Sequence, residues 1–141
     1  MLIDIDPLLS PDLLHTLRAM GHGDEIALVD ANFPGTTNAK RLIRLDGVSI
    51  TDATRAVLSV LPLDDFVDVQ AHTMEVVGNP TEVPPAVAEL RALVGDRGTC
   101  GTVERHAFYA RARDCFAIVQ TGETRLYGNI ILKKGVVRPK G

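Results

Sequence analysis

The sequence predicts an α/β domain with a mixed β-sheet flanked by helices, and three observations carry that expectation. Segments with helical spacing of apolar residues alternate with strand-like segments along the whole chain, with no internal repeat and no low-complexity stretch. The run Ile26-Ala27-Leu28-Val29 is short, apolar and unbroken, as expected of a strand covered on both faces. A length of 141 residues with 45% hydrophobic content gives one domain, residues 1–141, a core of its own and leaves no need for a second.

The elements follow in order. Ser10-Pro11-Asp12 starts a helix: the serine side chain caps free N–H groups, proline tolerates the first turn and Asp12 complements the helix dipole. Leu13, Leu14, Leu17 and Met20 form its buried stripe, and Gly21 is expected to end it in a left-handed conformation. Glu25 to Asp30 is the first strand, and Asn32-Phe33-Pro34-Gly35 a turn. Arg41 to Leu45 reads as a second strand closed by Asp46-Gly47. Thr51-Asp52 caps a helix that runs to about Leu61, where Pro62 stops it. Alternation from Val67 onward predicts a long strand reaching about Val77, followed by a Gly78-Asn79-Pro80 turn. Pro84-Pro85 opens a third helix, with Val87, Leu90, Leu93 and Val94 on one side and Gly95 and Gly98 at its end. A glycine-rich loop leads on to Cys100. A helix from Arg105 to Asp114, a buried strand Cys115–Val119, a Thr121-Gly122-Glu123 turn and a last strand from Leu126 to Lys133 complete the pattern.

Composition removes several function classes. A net charge of -3 argues against nucleic acid or an anionic membrane as partner, and 4% aromatics is too few for a base-stacking platform. Cys100 and Cys115 lack any metal or redox spacing and read as reduced small hydrophobes, with a disulfide between them the alternative. The acidic N-terminus lacks a signal-peptide pattern, and no apolar run approaches the ~18 residues of a spanning helix, so the expected location is cytoplasmic. There is no phosphate-binding Gly-x-x-x-x-Gly-Lys-Ser/Thr, no nucleophile elbow, and Gly21-x-Gly23 follows a helix where a dinucleotide fingerprint would follow a strand. The four histidines are scattered singly, so no metal is expected.

What remains is polar residues at element ends. His22 is read as standing near Asp30 at the strand end, and an imidazole beside a carboxylate is what cofactor-free proton transfer requires. Together with Met20-Gly21-His22-Gly23-Asp24-Glu25, the blocks Asp30-Ala31-Asn32-Phe33-Pro34, Arg105-x-Ala107-Phe108-Tyr109, and Thr121-Gly122-Glu123 with Tyr127-Gly128-Asn129 to Gly135 give a chain that resembles the L-fucose mutarotase and D-ribose pyranase family. The likeness runs from Ile5 to Gly135, is loose between about Pro62 and Thr99, and is closer to the fucose branch. It implies a single three-layer domain and an isomerase that opens and recloses a free monosaccharide ring. It implies no cofactor, and a ring-like homo-oligomer, a decamer. His22 would move the proton, and Asp30 would accept from sugar hydroxyls. Arg105, Tyr127 and Asn129 would bind further oxygens, and Gly128 would permit close backbone approach.

Each residue has a plainer role open to it. His22 could donate to the last carbonyls of the preceding helix, Asp30 could cap the Asn32-Phe33-Pro34 turn, and Tyr127 with Asn129 could be an ordinary strand pair. Arg105 at a helix start opposes the dipole, which favours a function beyond solvation. His72, His106 and Tyr109 receive no role. Pyranose–furanose interconversion of D-ribose and noncatalytic sugar binding stay open beside the mutarotase.

Overall fold

The structure, a computed structural model covering residues 1–141, is a six-stranded mixed sheet sandwiched between helices. The elements are α1 (Pro11–Ala19), β1 (Glu25–Val29), a single short turn of helix α2 (Gly35–Asn38), β2 (Leu42–Leu45), α3 (Ile50–Leu58) and β3 (Ala71–Met74). They continue with α4 (Pro85–Val94), a 3-10 turn (Gly95–Arg97), β4 (Cys100–Val103), α5 (Arg105–Asp114), β5 (Ala117–Thr121) and β6 (Ile130–Lys133). Strand order is β2-β5-β1-β6-β3-β4. β6 is antiparallel to both neighbours, β1 and β3, and the remaining pairs are parallel.

Alternation along each strand divides the core in two. Ile26 and Leu28 of β1, with Ile130 and Leu132 of β6, pack beneath α1, α3 and α4; Ala27, Val29 and Ile131 pack on the other side against Phe108 and Ala112 of α5. The central strands are therefore apolar on both faces, and the three-layer arrangement follows from that coverage.

Local chemistry accounts for the element ends, and several differ from the expectation. The Ser10 side chain accepts from the Leu13 amide as the N-cap of α1, but α3 is capped by Ser49, two residues ahead of Thr51. Helix α1 ends through Met20 in an extended conformation, and the left-handed glycine is Gly23 (φ 87°) rather than Gly21. Its last carbonyls are taken by Lys134, whose Nζ donates to Leu17 O at 2.7 Å and Met20 O at 2.6 Å. The long strand from Val67 shrinks to Ala71–Met74, because Gln70 closes the segment before it: its side chain donates to Val67 O and accepts from Thr99 N. β4 begins at Cys100, where the expected glycine-rich loop ends, over residues for which no element was expected. Gly101 in its middle sits under Val69 and His72, which fill the room a side chain would take. The last strand starts at Ile130, four residues late, since Tyr127 adopts φ 62° and turns the chain before the ladder forms.

Candidate active site

The sheet topology brings distant stretches to one edge. β1 and β3 point the same way and β6 points back between them, with Leu28 opposite Ile130 and Thr73 opposite Ile130 on its other side. The residues one or two steps beyond these pairs, Asp30, Asn129 and Met74, therefore meet at the carboxyl ends of β1 and β3. β4 lies beside β3 and delivers the start of α5, hence Arg105 and Tyr109, to the same edge. Here a cavity of about 250 Å³ opens, with Asp30 and Asn129 as polar residues, Phe33, Met74, Val77 and Leu126 as apolar ones, and Asn32, Arg105, Tyr109 and Tyr127 completing the lining. Carboxyl ends of strands in open α/β sheets are the usual place for a ligand.

Asp30 and Asn129 are 5% and 3% exposed and clamp each other. The Asp30 amide donates to Asn129 Oδ1 at 2.8 Å, and Asn129 Nδ2 donates to Asp30 Oδ2 at 3.3 Å. Both ends of the asparagine amide are thus fixed by one residue. Asp30 Oδ1 accepts the Asn32 amide at 3.0 Å, so the turn-capping role open to Asp30 is also realised, and the Asp30 carbonyl accepts from the buried Gln120 at 2.6 Å. Burial pushes the Asp30 carboxyl above its ordinary value, against the amides of Asn32 and Phe33 and the Asn129 side chain, while neighbouring Glu123 pushes it further up. A ligand whose hydroxyls donate to this carboxylate loses an acceptor when it protonates. Affinity for such a ligand is therefore expected to fall on acidification with a midpoint above that of an ordinary aspartate. Isothermal titration across pH checks this, and Asp30→Asn should abolish that dependence along with most of the binding.

The rim is held by pairs. Arg105 Nε donates to the Tyr109 hydroxyl at 3.1 Å across one helix turn, and the Tyr109 ring meets Phe33 edge to face at 5.1 Å. The Tyr127 hydroxyl accepts from the Val77 amide at 3.1 Å, tying the loop before β6 to the loop after β3. Tyr127 and Asn129 do not share a strand face as their spacing suggested, since both precede β6; the chain turns at Tyr127, and both residues line the cavity. Gly128 is buried and does not line the cavity. A Cβ there would meet Glu123 Cγ at 2.9 Å and Ile50 Cγ2 at 3.2 Å, so the close approach it permits is to Glu123 and α3. Arg125 anchors this loop through Glu123, Glu89 and Thr51, and holds the Glu123 carboxyl below its ordinary value.

His22 is elsewhere. It precedes β1, while Asp30 follows it, so the five-residue strand holds them about 17 Å apart along its axis within one chain. The expected nearness of the two is thereby corrected: eight residues are a short separation only where the chain folds back. His22 does not cap α1 either, since Lys134 occupies those carbonyls. Its Nε2 instead meets Asp64 Oδ1 at 2.9 Å, and its ring packs edge-on against Phe66. His106 is exposed and His72, half-buried on β3, has its imidazole held below the usual range by burial and by Arg111. Of the residues that sequence reasoning passed over, Tyr109 carried a signal in its i+4 spacing from Arg105. Phe33, Met74, Val77 and Leu126 read as ordinary core or surface residues, and Asp64 lies 42 positions from its partner.

A mixed sheet with a ligand-sized cavity of buried carboxylate and amide at its strand ends defines a small-molecule-binding α/β protein. The chain belongs to the RbsD / FucU transport protein family, whose model matches residues 3–137. It is 46% identical to the fucose mutarotase of Bos taurus over 96% of this chain and 94% of the relative, and 44% identical to that of Danio rerio over the same shares. Among solved structures, the fucose mutarotase of Streptococcus pneumoniae in complex with L-fucose superposes with a TM-score of 0.90 at 45% identity, covering 97% of this chain and 100% of that one.

Proposed function

We propose that this protein is a monosaccharide mutarotase that interconverts the α and β anomers of L-fucose or a closely related free sugar. The observation that carries the proposal is the cavity itself: a buried carboxylate and amide beside a wall of Phe33, Met74, Val77 and Leu126, in a chain so similar to fucose mutarotases. The polar pair suits ring hydroxyls. The apolar wall suits a methyl group, which a 6-deoxy sugar carries and a pentose lacks.

The reaction moves protons and one carbon–oxygen bond. The anomeric hydroxyl gives up its proton as the bond from C1 to the ring oxygen breaks, C1 becomes an aldehyde, and the ring oxygen takes up a proton. Rotation about the C1–C2 bond and the reverse steps on the other face of C1 yield the opposite anomer, with no net change in atoms or charge. His22 serves as the acid/base. Asp30 accepts from sugar hydroxyls, the Arg105 guanidinium donates to sugar oxygens, and Tyr127 and Asn129 bind further hydroxyls, with Gly128 fixing the turn that presents them. The chemistry calls for no cofactor.

Because β1 separates His22 from the cavity, this assignment requires His22 from a second copy of the chain. The surface bearing His22 and the surface bearing the cavity lie at opposite ends of the sheet, so the contact is head-to-tail, and head-to-tail contacts form rings where the rotation between copies closes. That fits a ring-like homo-oligomer; its size, a decamer, comes from the family resemblance alone. Two free cysteines, one of them with its thiol pushed up to about 12 by burial, fit a reducing cytoplasm.

Saturation-transfer NMR on equilibrated sugars tests the proposal. Added protein should speed exchange between the anomers of L-fucose, and speed it more than exchange between the ring forms of D-ribose. A larger effect on ribose ring forms would favour the pyranase alternative. Tight sugar binding with no exchange would leave a noncatalytic binding module, and no effect on any sugar of a panel would remove the mutarotase.

A further inference from the structure

We propose that Glu123 is a positioning residue of the sugar site: from behind the cavity it fixes both members of the Asp30–Asn129 clamp, and Arg125 with Glu89 fixes Glu123 in turn. The role rests on the reading of the cavity as the place where the sugar binds, and it accounts for what keeps the polar pair there in place.

Glu123 is buried in the turn after β5, and that turn holds the chain on both sides of Asp30. Thr121 Oγ1 donates to Val29 O at 2.7 Å and accepts the Glu123 amide at 3.3 Å, while Glu123 O accepts the Ala31 amide at 2.8 Å. Asn129 is held from the other direction. A Cβ at Gly128 would lie 2.9 Å from Glu123 Cγ, so the chain between Tyr127 and Asn129 rests on the glutamate side chain. Arg125 locks the carboxylate: its amide donates to Glu123 Oε2 at 3.1 Å, its Nε to the same oxygen at 3.2 Å and its Nη2 to Oε1 at 2.8 Å. The guanidinium also reaches Glu89 of α4, which accepts from the Thr51 hydroxyl of α3 at 3.1 Å. The grip on the cavity loop is thus anchored in both helices behind it.

A second buried acid beside Asp30 is costly, and a neutral side chain would fill the same space. What the charge adds is the three-point hold on Arg125, whose hydrogen bonds keep Glu123 ionised. The same charge reaches Asp30 and pushes its carboxyl up, on top of burial. The ionisable groups that face Asp30 are Glu123 behind it, Arg105 and Tyr109 of α5 around the cavity and Tyr127 before β6; β3 and the loop after it bring Met74 and Val77, both apolar. An arginine keeps its charge and a phenol stays neutral through the acid range, so the acid limb of sugar binding reports Asp30 and Glu123 as a coupled pair. Arg125 then bears on the sugar site without touching the sugar: it offsets the charge that Glu123 turns towards Asp30.

The experiment measures L-fucose affinity against pH by isothermal titration, and anomer-exchange kinetics near neutral pH, in wild type and three variants. Glu123→Gln, close in shape, removes the negative neighbour of Asp30 and should move the acid midpoint of binding to lower pH. Arg125→Met, at a half-exposed position, leaves Glu123 without its counter-charge and should move the midpoint to higher pH. Opposite shifts from the two partners of one ion pair are the mark of a charge that reaches Asp30; a loosened loop would not produce them. Glu123→Ala removes the grip as well and should raise KM by about tenfold with kcat within about twofold, because His22 stands at the other end of β1. Midpoints that stay at the wild-type value, or move in the same direction in both charge variants, overturn the role, and so does a wild-type KM in Glu123→Ala. Where Glu123→Ala does not fold, the two charge variants decide. Wild type that binds no sugar of a panel at any pH removes the reading of the cavity as a sugar site, and the role of Glu123 with it; wild type that binds L-fucose with an acid midpoint indifferent to both charge variants removes the role of Glu123 alone.

Discussion

His22→Ala is expected to slow anomer exchange by about 10²–10⁴-fold while leaving sugar affinity within a few-fold of wild type. The range is what a positioned general acid/base contributes. Affinity survives because the cavity does not contain His22: Asp30, Asn129, Arg105 and Tyr127 are held by their own partners at the other end of β1. Loss confined to kcat is the signature of an interaction made in the transition state, and calorimetry beside exchange spectroscopy separates it from lost binding. Nor should the substitution disturb the fold much, since the side chain is 40% exposed and its ring meets Phe66 and Asp64 at the surface. Exchange at the wild-type rate in this variant would take the acid/base role away from His22 altogether.

Two inactive variants should rescue each other. His22→Ala destroys the proton-moving end of a protomer and keeps its cavity; Asp30→Ala destroys the cavity and keeps His22. If each site joins the cavity of one copy to the histidine of the next, random co-assembly in equal amounts leaves about one contact in four with both parts intact, and about a quarter of wild-type activity should return. Coexpression with two affinity tags and assay of the doubly purified oligomer measures this. No recovery above the sum of the separate variants would mean that the parts do not meet across a subunit contact, and the head-to-tail assembly would have to be abandoned.

Most of the scaffold was legible from local chemistry. Ser10-Pro11 started α1, the unbroken Ile26–Val29 run gave a doubly covered strand, and α5 ran from Arg105 to Asp114 as its pattern required. The misses have a common cause in side chains that satisfy backbone groups from afar. Gln70 held back to Ala71 a strand that alternation alone would have started at Val67, and β4 is a strand only because β3 offers its edge to a sequence with glycine at its centre. The turn at Tyr127 is invisible to periodicity, since an aromatic residue rarely takes a left-handed conformation. For the site, Asp30, Arg105, Tyr127 and Asn129 lie in three separate stretches, and no local rule joins them; their convergence comes from the antiparallel placement of β6 between β1 and β3. Proximity in sequence misled in the opposite direction for His22, and its true partner Asp64 had no periodic relation to it.

One strand, β1, therefore acts as a ruler. Its rigid, doubly covered backbone fixes the offset between His22 and the cavity in each protomer, and under the proposed head-to-tail assembly that offset would have to match the step from one subunit to the next. In an open row of copies, the first protomer would have a cavity or a histidine without its counterpart, and the last would have the reverse. Closure of the proposed ring would mate every half-site, so that assembly geometry, rather than any residue at the reaction centre, would decide how many of the sites present are complete.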